Sequence, residues 1–345
     1  MKYYLLLALA SLCFSCKERR NAIPDSMEKV DTEIFRTEKL LFASVQPDSI
    51  FRALDSLKKT HPGFYNLYFR EVFPVSNSTS PDTITPALQH YLAFKENRSL
   101  TELVMKEFPR DKVLEEDFDE ALSFYKYYFP EASIPRIYTF ISNYNFQAFI
   151  FQDENGQDAV AIGLDMFLHP YQRYKMLDPN NPVFSDYITK TWTKDYIVRK
   201  VLEVCLTDYK PQTEQTNLLD YMIYHGKLMH AYDRLLPEKH DSVIAEYSLK
   251  DLNWCKQNEK QMWSFFLEKN LFFKPLDAQS NKYVFQSPDS PGMPPASPGR
   301  TGNYLGWKIV ERFMEKNKNI TLDSLFKISD ARSILEGSKY KPSKN

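Results

Sequence analysis

The sequence predicts an α+β protein, mostly helical, with a small antiparallel sheet in a single domain. Glycine is scarce, with 9 residues in 345, and this disfavours the glycine-rich nucleotide-binding folds. Apolar residues recur at helical spacing along most of the chain, and only the region 135–165 alternates as strands do. No composition break inside 28–340 demands a second domain, so 28–345 is predicted to fold as one unit.

The charge balance excludes one broad class of partner. The chain has 44 Lys and Arg against 45 Asp and Glu. A nearly neutral chain offers no broad cationic face for phosphate groups, so nucleic acid is not expected as a partner.

The first residues predict an export signal with a lipid attachment site. Lys2 precedes the apolar run Leu5–Leu12, which suits a signal peptide and is too short to span a bilayer. The following Cys13-Phe14-Ser15-Cys16 resembles a bacterial lipobox, which implies cleavage after Ser15 and acylation of Cys16. Residues 1–15 are then the signal peptide, 16–27 the acylated cysteine and a polar tether, and the rest is held at a membrane, inner or outer. The alternative is an ordinary secretory signal cut elsewhere.

Capping residues and apolar spacing predict four helices in the first third of the mature chain. The first is predicted to start at Asp48-Ser49 and to stop at Pro62-Gly63, and the second to start at Thr85-Pro86. The third starts at the capping box formed by Ser99 and Glu102, and the fourth is a long helix from Leu114 to Phe129 that Pro130 ends.

The region 135–165 predicts three strands. Ile137–Ile141 and Phe146–Phe151 are rich in β-branched and aromatic residues, and Asn155-Gly156 separates the latter from Ala159–Ile162. An Asn-Gly pair between such runs is a strong hairpin signal. We therefore expect an antiparallel meander in sequence order.

Helices dominate again after Pro182. The expected spans are 184–208, 216–235, 248–270 and a final helix at 302–317. Between the last two, residues 275–298 hold six prolines, which predicts a rigid irregular loop beside a short strand at 282–286.

The usual catalytic motifs are missing from the sequence. It has no G-x-S-x-G elbow and no Walker or Rossmann glycine pattern. His225 and His230 are five residues apart on one predicted helix, so their rings point about 140° apart and do not form a helical zinc pair. Cys205 and Cys255 are compatible with a disulfide in an exported protein, although two buried free thiols are the simpler interpretation.

Four segments carry a resemblance to a known family. In chain order they are Ile162–Leu168 (IGLDMFL), Leu218–Lys227 (LLDYMIYHGK) followed by Leu236-Pro237, Trp254-Cys255-x-x-Asn258-Glu259-x-x-x-Trp263, and Ser297–Val310 (SPGRTGNYLGWKIV). Together with the lipobox, this set resembles the gliding motility lipoprotein family GldB of Bacteroidetes over essentially the whole chain.

The resemblance implies a function and a more distant kinship. The family looks similar to zincin-type metallopeptidases, in which a His-Glu-x-x-His helix follows a strand of the sheet and a later helix supplies a third zinc ligand. Here the corresponding helix, 184–208, contains no histidine, and His225 would stand at the third-ligand position. One histidine does not hold a catalytic zinc. The resemblance therefore implies a peptidase-like shell without catalytic residues, metal or cofactor.

Lys227, Glu259 and Arg300 are the candidate pocket residues. If the three are buried, they must be paired, because a lone buried charge is costly. The alternative gives them structural roles: Arg300 braces the last helix, while Gly226, Gly302 and Gly306 allow helices to approach closely.

The expected function is that of a non-catalytic envelope lipoprotein that supports gliding motility by holding partners from the motility or secretion machinery. The proline-rich segment 286–299 is the candidate partner surface, because a pre-ordered loop loses little entropy on docking; the alternative is a plain connector. Competing functions are a zinc metallopeptidase-like enzyme and a small-ligand binder that uses the cleft.

Overall fold

The computed structural model describes residue 24 and residues 26–210 and 215–342. The expected signal peptide, the acylated Cys16 and nearly all of the tether lie outside these residues. Fifteen α-helices and four strands are described. The helices are α1 (Thr37–Leu41), α2 (Pro47–Thr60), α3 (Pro62–Leu67), α4 (Pro81–Ala93), α5 (Lys95–Glu107), α6 (Asp111–Tyr128), α7 (Asp186–Thr189), α8 (Ile197–Tyr209), α9 (Leu218–Leu235), α10 (Asp241–Ala245), α11 (Leu249–Gln257), α12 (Glu259–Glu268), α13 (Thr301–Lys316), α14 (Leu322–Lys327) and α15 (Ala331–Ser338).

The strands are β1 (Ile34–Arg36), β2 (Arg136–Phe140), β3 (Ala148–Gln152) and β4 (Asp158–Gly163). The α+β class is confirmed, but the meander is wrong: the sheet order is β1-β2-β4-β3 and the sheet is mixed. Strands β1 and β2 are parallel, as are β2 and β4, while β3 pairs antiparallel with β4 at the edge. The predicted hairpin at Asn155-Gly156 is confirmed, and Gly156 adopts a positive φ of 74° in its turn.

Helices cover both faces of this sheet. On one face, the Phe64 ring of α3 lies 4.8 Å from the Tyr138 ring and 5.7 Å from the Phe151 ring, centroid to centroid. Helix α8 packs on strands β3 and β4. Because both faces are covered, β4 is an unbroken run of small and β-branched residues instead of an alternating one.

Helices α9 and α13 form the closest helix pair in the core. A Cβ atom on Gly226 of α9 would lie 2.3 Å from the Gly306 carbonyl oxygen of α13. A Cβ atom on Gly306 would lie 1.8 Å from the Met222 carbonyl oxygen. These distances are shorter than any real contact, so both positions require glycine. The expected role of these glycines in close helix packing is confirmed.

Several predicted element limits are wrong. Helices α4 and α5 begin earlier than expected, at Pro81 and Lys95. In α4, Pro81 takes the first helical position, and Pro86 lies inside the helix. The predicted 184–208 helix is not continuous, because only the four-residue helix α7 and a short turn precede α8, which begins at Ile197. The predicted 248–270 helix is divided into α11 and α12 at Asn258. The expected strand at 282–286 is replaced by a 3₁₀ turn at Ser280–Tyr283. Two more helices, α14 and α15, follow α13, which was expected to be the last.

Cys205 and Cys255 are buried free thiols, so the simpler interpretation of the pair is confirmed. Within the described ranges, no helix combines the length and the apolar character needed to cross a membrane.

Candidate functional site

The three predicted pocket residues do not share one cavity. Lys227 lines a cavity of about 140 Å³ between α9 and the α14–α15 region. Arg300 lines a different cavity of about 600 Å³. Glu259 accepts hydrogen bonds from the hydroxyls of Tyr304, at 3.1 Å, and Tyr340, at 2.7 Å. The three residues therefore do not converge as expected. Lys227 lies on α9, Glu259 at the start of α12 and Arg300 just before α13, and each contacts different groups.

Lys227 has a structural partner. Its ammonium donates a 2.6 Å hydrogen bond to the Ile328 carbonyl, at the end of α14. Burial lowers the pKa of Lys227 to about 8. The contact ties α9 to the C-terminal helices.

Arg300 belongs to a cluster of buried charged side chains in the 600 Å³ cavity. This cavity, the cleft, is bounded by α8, α9, the start of α13 and residues 284–286. The apolar part of its lining comes from Ile188, Trp192, Leu228, Met229, Val284 and Phe285, and uncharged polar side chains such as Gln147, Thr191, Thr207 and Gln286 line the rest.

Five charged side chains form one ion-pair cluster in the cleft. The Arg199 guanidinium lies 2.6 Å from the Glu203 carboxylate and 3.5 Å from that of Glu246. The Lys200 ammonium bridges the same two carboxylates, at 2.9 Å and 3.3 Å. Arg300 approaches Glu246 at 3.4 Å and donates a 2.6 Å hydrogen bond to its carbonyl oxygen. Three positive and two negative groups leave one positive charge in excess.

The backbone positions these groups in two ways. Arg199, Lys200 and Glu203 follow one another over little more than one turn of α8, so the helix presents them together. Glu246, which ends α10, and Arg300, which precedes α13, both adopt left-handed backbone conformations with φ of 55° and 60°. Such conformations are unfavourable for residues with a Cβ atom and are held here by the surrounding contacts.

Electrostatic interactions favour the ionised forms of Glu246, Glu203 and Lys200. Burial alone would raise the pKa of Glu246, but the charges of Lys200, Arg199 and Arg300 outweigh it and hold the pKa well below its usual range. The pKa of Glu203 is lowered in the same way, against burial, mainly by Lys200 and Arg199. Burial alone would lower the pKa of Lys200, and the two carboxylates raise it instead.

Three further buried polar atoms, on residues that line the cleft, lack a hydrogen-bond partner among the described residues. They are Nε2 of His225, the hydroxyl oxygen of Tyr232 and Oδ1 of Asn303. The Tyr232 side chain is 1% exposed and Asn303 is 3% exposed. Burial, followed by the repulsion of Arg300, lowers the pKa of His225 to about 4, so the ring is neutral at pH 7. Buried polar atoms without partners are uncommon in folded proteins.

The arrangement does not fit a metal ion. No three His, Cys, Asp or Glu side chains lie together as a metal-binding group in the described part of the chain. His225 lines the cleft, whereas His230 lines a separate cavity of about 820 Å³ beside Tyr128 and Met314. The expected divergence of the two rings is confirmed. Arg199 and Lys200, which line the cleft from α8, would also repel a cation there.

Sequence reasoning missed most of the cleft. Glu246 lies in a short helix between predicted elements, and nothing near it in the sequence indicates a partner on α8. A signal was nevertheless present in α8, where Arg199, Lys200 and Glu203 interrupt the otherwise apolar stretch 197–206 at spacings that allow pairing.

Comparison with known proteins gives one match. A family model described as gliding motility protein GldB matches residues 18–342. A search of curated proteins and a search of solved structures each found no match. The expected kinship with zincin-type metallopeptidases therefore receives no support from these comparisons.

Proposed function

Because the chain belongs to the gliding motility family GldB, we propose that it is an envelope lipoprotein, anchored through Cys16, that supports gliding without catalysing a reaction. Its role in this proposal is to hold protein partners of the motility or secretion machinery. The observation that carries the proposal is the family match, which spans residues 18–342 and so includes every described element.

The chemistry of the cleft supports the non-catalytic part of the proposal. Zinc peptidase chemistry requires neutral imidazole ligands and a carboxylate base beside an open metal position. The helix that faces the cleft instead presents Arg199 and Lys200, and both are engaged by Glu203 and Glu246. Two cations in the lining of the cleft oppose the binding of a metal ion there.

The segment 286–299 is the proposed partner surface. Two hydroxyl groups hold its backbone: the Ser290 hydroxyl, inside the segment, donates to the Pro298 carbonyl at 2.7 Å, and the Tyr283 hydroxyl, just before it, donates to the Pro291 carbonyl at 2.6 Å. Pro294, Pro295 and Ala296 are exposed at the tip. A loop that is already ordered loses little conformational entropy when it docks.

Loss of the whole protein tests the motility role. A strain lacking the protein should not glide, and the wild-type gene supplied in trans should restore gliding. Normal gliding and normal secretion in the deletion strain would contradict the proposal.

Metal analysis tests the non-catalytic role. The mature protein purified in detergent should contain far less than one zinc per chain, and its addition to a mixed peptide substrate should cause no chelator-sensitive cleavage. A matched His225→Ala variant serves as the control, because His225 is the histidine in the cleft. One equivalent of zinc that is lost in this variant, together with cleavage, would reverse the proposal.

A charge introduced at the tip of 286–299 tests the partner surface. Ala296→Lys should lower the recovery of cross-linked partners from cells without changing the thermal midpoint, because residue 296 is exposed to solvent. Lys318→Ala, an exposed change in another surface region, is the control. Equal recovery from both variants would make the segment a simple connector.

A further inference from the structure

We propose that the cleft binds a monocarboxylate that carries an apolar group. Neither the family match nor the proposed motility role assigns a ligand to the protein. The proposal depends on three features of the cleft: its size, its unbalanced charge and its unpartnered polar atoms.

The size suits a small organic ligand. The cleft has a volume of about 600 Å³, within the range of about 300–1,000 Å³ that is typical of small-molecule sites. Its aromatic and aliphatic walls, including Trp192, Leu228 and Phe285, favour a ligand with an apolar part.

The charge specifies the polar part. Arg199, Lys200 and Arg300 outnumber Glu203 and Glu246 by one positive charge. Unbalanced charge in a buried site is costly, and one bound carboxylate removes the imbalance. A phosphate group carries nearly two negative charges at pH 7 and would leave the site with a negative excess.

The cations have donors to spare. The Lys200 ammonium has three N–H donors and uses two, one to each carboxylate. The Arg300 guanidinium has five donors, of which two are engaged within the described chain, both by Glu246. Both side chains can therefore hydrogen-bond a carboxylate without giving up their present partners.

The unpartnered atoms add a second, independent indication of a ligand. The neutral ring of His225 and the hydroxyl of Tyr232 can each donate or accept a hydrogen bond, and Oδ1 of Asn303 accepts one. These atoms are buried in the walls of the same cavity as the charge cluster. A ligand with a carboxylate and an adjacent N–H group offers both an acceptor and a donor to groups of this kind.

N-acetylphenylalanine is the probe for the first experiment, since it combines a carboxylate, an N–H group and an aromatic ring. Binding to the mature protein in detergent is measured by titration calorimetry at constant salt, beside the neutral N-acetylphenylalanine amide. We expect the acid to bind at least about tenfold more tightly than the amide, because only the acid neutralises the cluster. Equal binding of the two, or no binding of either at about 5 mM, would overturn the proposal.

Two charge variants locate the site. Glu203→Gln should tighten binding of the acid about threefold to tenfold, because it raises the positive excess from one to two charges. Glu203 suits this change because its side chain is 34% exposed, the most exposed of the five. Lys200→Met should weaken binding by at least about tenfold.

Lys59→Met, on α2 and outside the cleft, is the matched control and should change the affinity less than about twofold. Changes in opposite directions for Glu203→Gln and Lys200→Met exclude loss of folding as the cause. Unchanged affinity in both variants would place the probe elsewhere and overturn the proposal.

A second arm distinguishes the two sources of the same chemistry, a free organic acid and the C-terminus of a peptide. The blocked tripeptide N-acetyl-Ala-Ala-Phe, with a free carboxylate and no other charge, is compared with its amidated form and with N-acetylphenylalanine. Tighter binding of the free tripeptide than of N-acetylphenylalanine assigns the cleft to a peptide terminus, and weaker binding assigns it to a small acid. Tripeptide binding that is insensitive to amidation would count against carboxylate recognition.

Discussion

Glycine residues at the α9–α13 contact illustrate how far single positions could be predicted from sequence. Gly226 and Gly306 were identifiable because glycine inside a helix is unfavourable unless something requires it. What requires it is the backbone of the opposite helix, which would lie 2.3 Å and 1.8 Å from Cβ atoms at these two positions. The charged cleft residues were harder to find, because the partners Arg199 and Glu246 are 47 residues apart in the sequence and no local pattern joins them.

Substitution of Gly306 tests this contact. Gly306→Ala should lower the free energy of unfolding by about 3 kcal/mol or more, since the new methyl group meets the Met222 backbone and the helices must separate. Urea denaturation with an unchanged m-value would measure the loss.

Gly337→Ala in α15 is the matched control. Its Cβ atom would meet the edge of the Phe313 ring at 2.9 Å, and a ring can move where a backbone cannot. The helical preference for alanine also offsets part of the cost. An equal effect of the two substitutions would contradict the backbone-contact explanation.

At the scale of elements, the sheet shows that strand pairings close in sequence could be predicted and distant ones could not. The β3–β4 hairpin was predictable, because its turn and both strands lie within one short stretch of sequence. The parallel pairing of β2 with β4 was not, because the chain after β2 first forms β3 at the edge of the sheet, and β4 then returns to lie between β2 and β3. Strand β1 was missed because it has only three residues, and its partner β2 begins about 100 residues later.

The proline-rich segment 286–299 shows a similar division. The prolines predicted an irregular backbone, but the sequence did not indicate which contacts hold that backbone in place. The Ser290 hydroxyl is buried and contacts both the Pro298 carbonyl and the Thr301 hydroxyl, at 2.7 Å and 2.8 Å. This side chain joins the middle of the segment to the start of α13.

Removing that hydroxyl should loosen the segment. Ser290→Ala is expected to lower the free energy of unfolding by about 1–3 kcal/mol, because the Thr301 hydroxyl loses a buried partner. Limited proteolysis should then cut within 292–296 faster than in the wild type. Ser78→Ala, at an exposed serine outside the helices, should alter neither measurement; cleavage that is unchanged in Ser290→Ala would argue that other contacts hold the segment.

At the scale of the whole molecule, buried ionisable groups make stability depend on pH. Burial lowers the pKa of His225 to about 4 and that of His230 to about 3, against an ordinary value of 6.5. Both groups therefore favour the folded state above pH 6.5 and lose this contribution as the pH falls towards their folded pKa values. Asp165 acts in the opposite direction. Burial raises its pKa to about 6, so its contribution is present at low pH and lost as the pH rises from 3.8 through 6.

Two histidines outweigh one carboxylate, so acidification should destabilise the protein. We expect the free energy of unfolding to fall by on the order of 3 kcal/mol between pH 7 and pH 4.5. Urea titrations at several pH values measure this change.

His230→Leu is the diagnostic variant, and its loss over the same pH interval should be about half that of the wild type or smaller. His90→Leu, at an exposed position, should leave the pH dependence unchanged. Stability that rises on acidification would show that Asp165 dominates instead.

The proposed membrane attachment can be tested in the full-length chain. Cys16→Ala should release the protein into the soluble fraction of lysed cells, because the acyl chains expected on Cys16 would be absent. Cys205→Ala, which removes a buried thiol, is the control and should stay with the membrane. Membrane association of the Cys16→Ala protein would contradict lipid anchoring at this position.

The contact between Gly226 and Gly306 also sets the calibre of the cleft. His225 immediately precedes Gly226, and Asn303 lies one turn before Gly306, so two walls of the cleft meet at a place where backbone touches backbone. Close-packed helices do not separate to admit a wider guest. Any widening must come from the exposed part of the lining, at Phe285 and Gln286. We therefore expect the α9–α13 contact to limit the width of any ligand in the cleft, and the segment at Phe285 and Gln286 to tolerate ligands of different length.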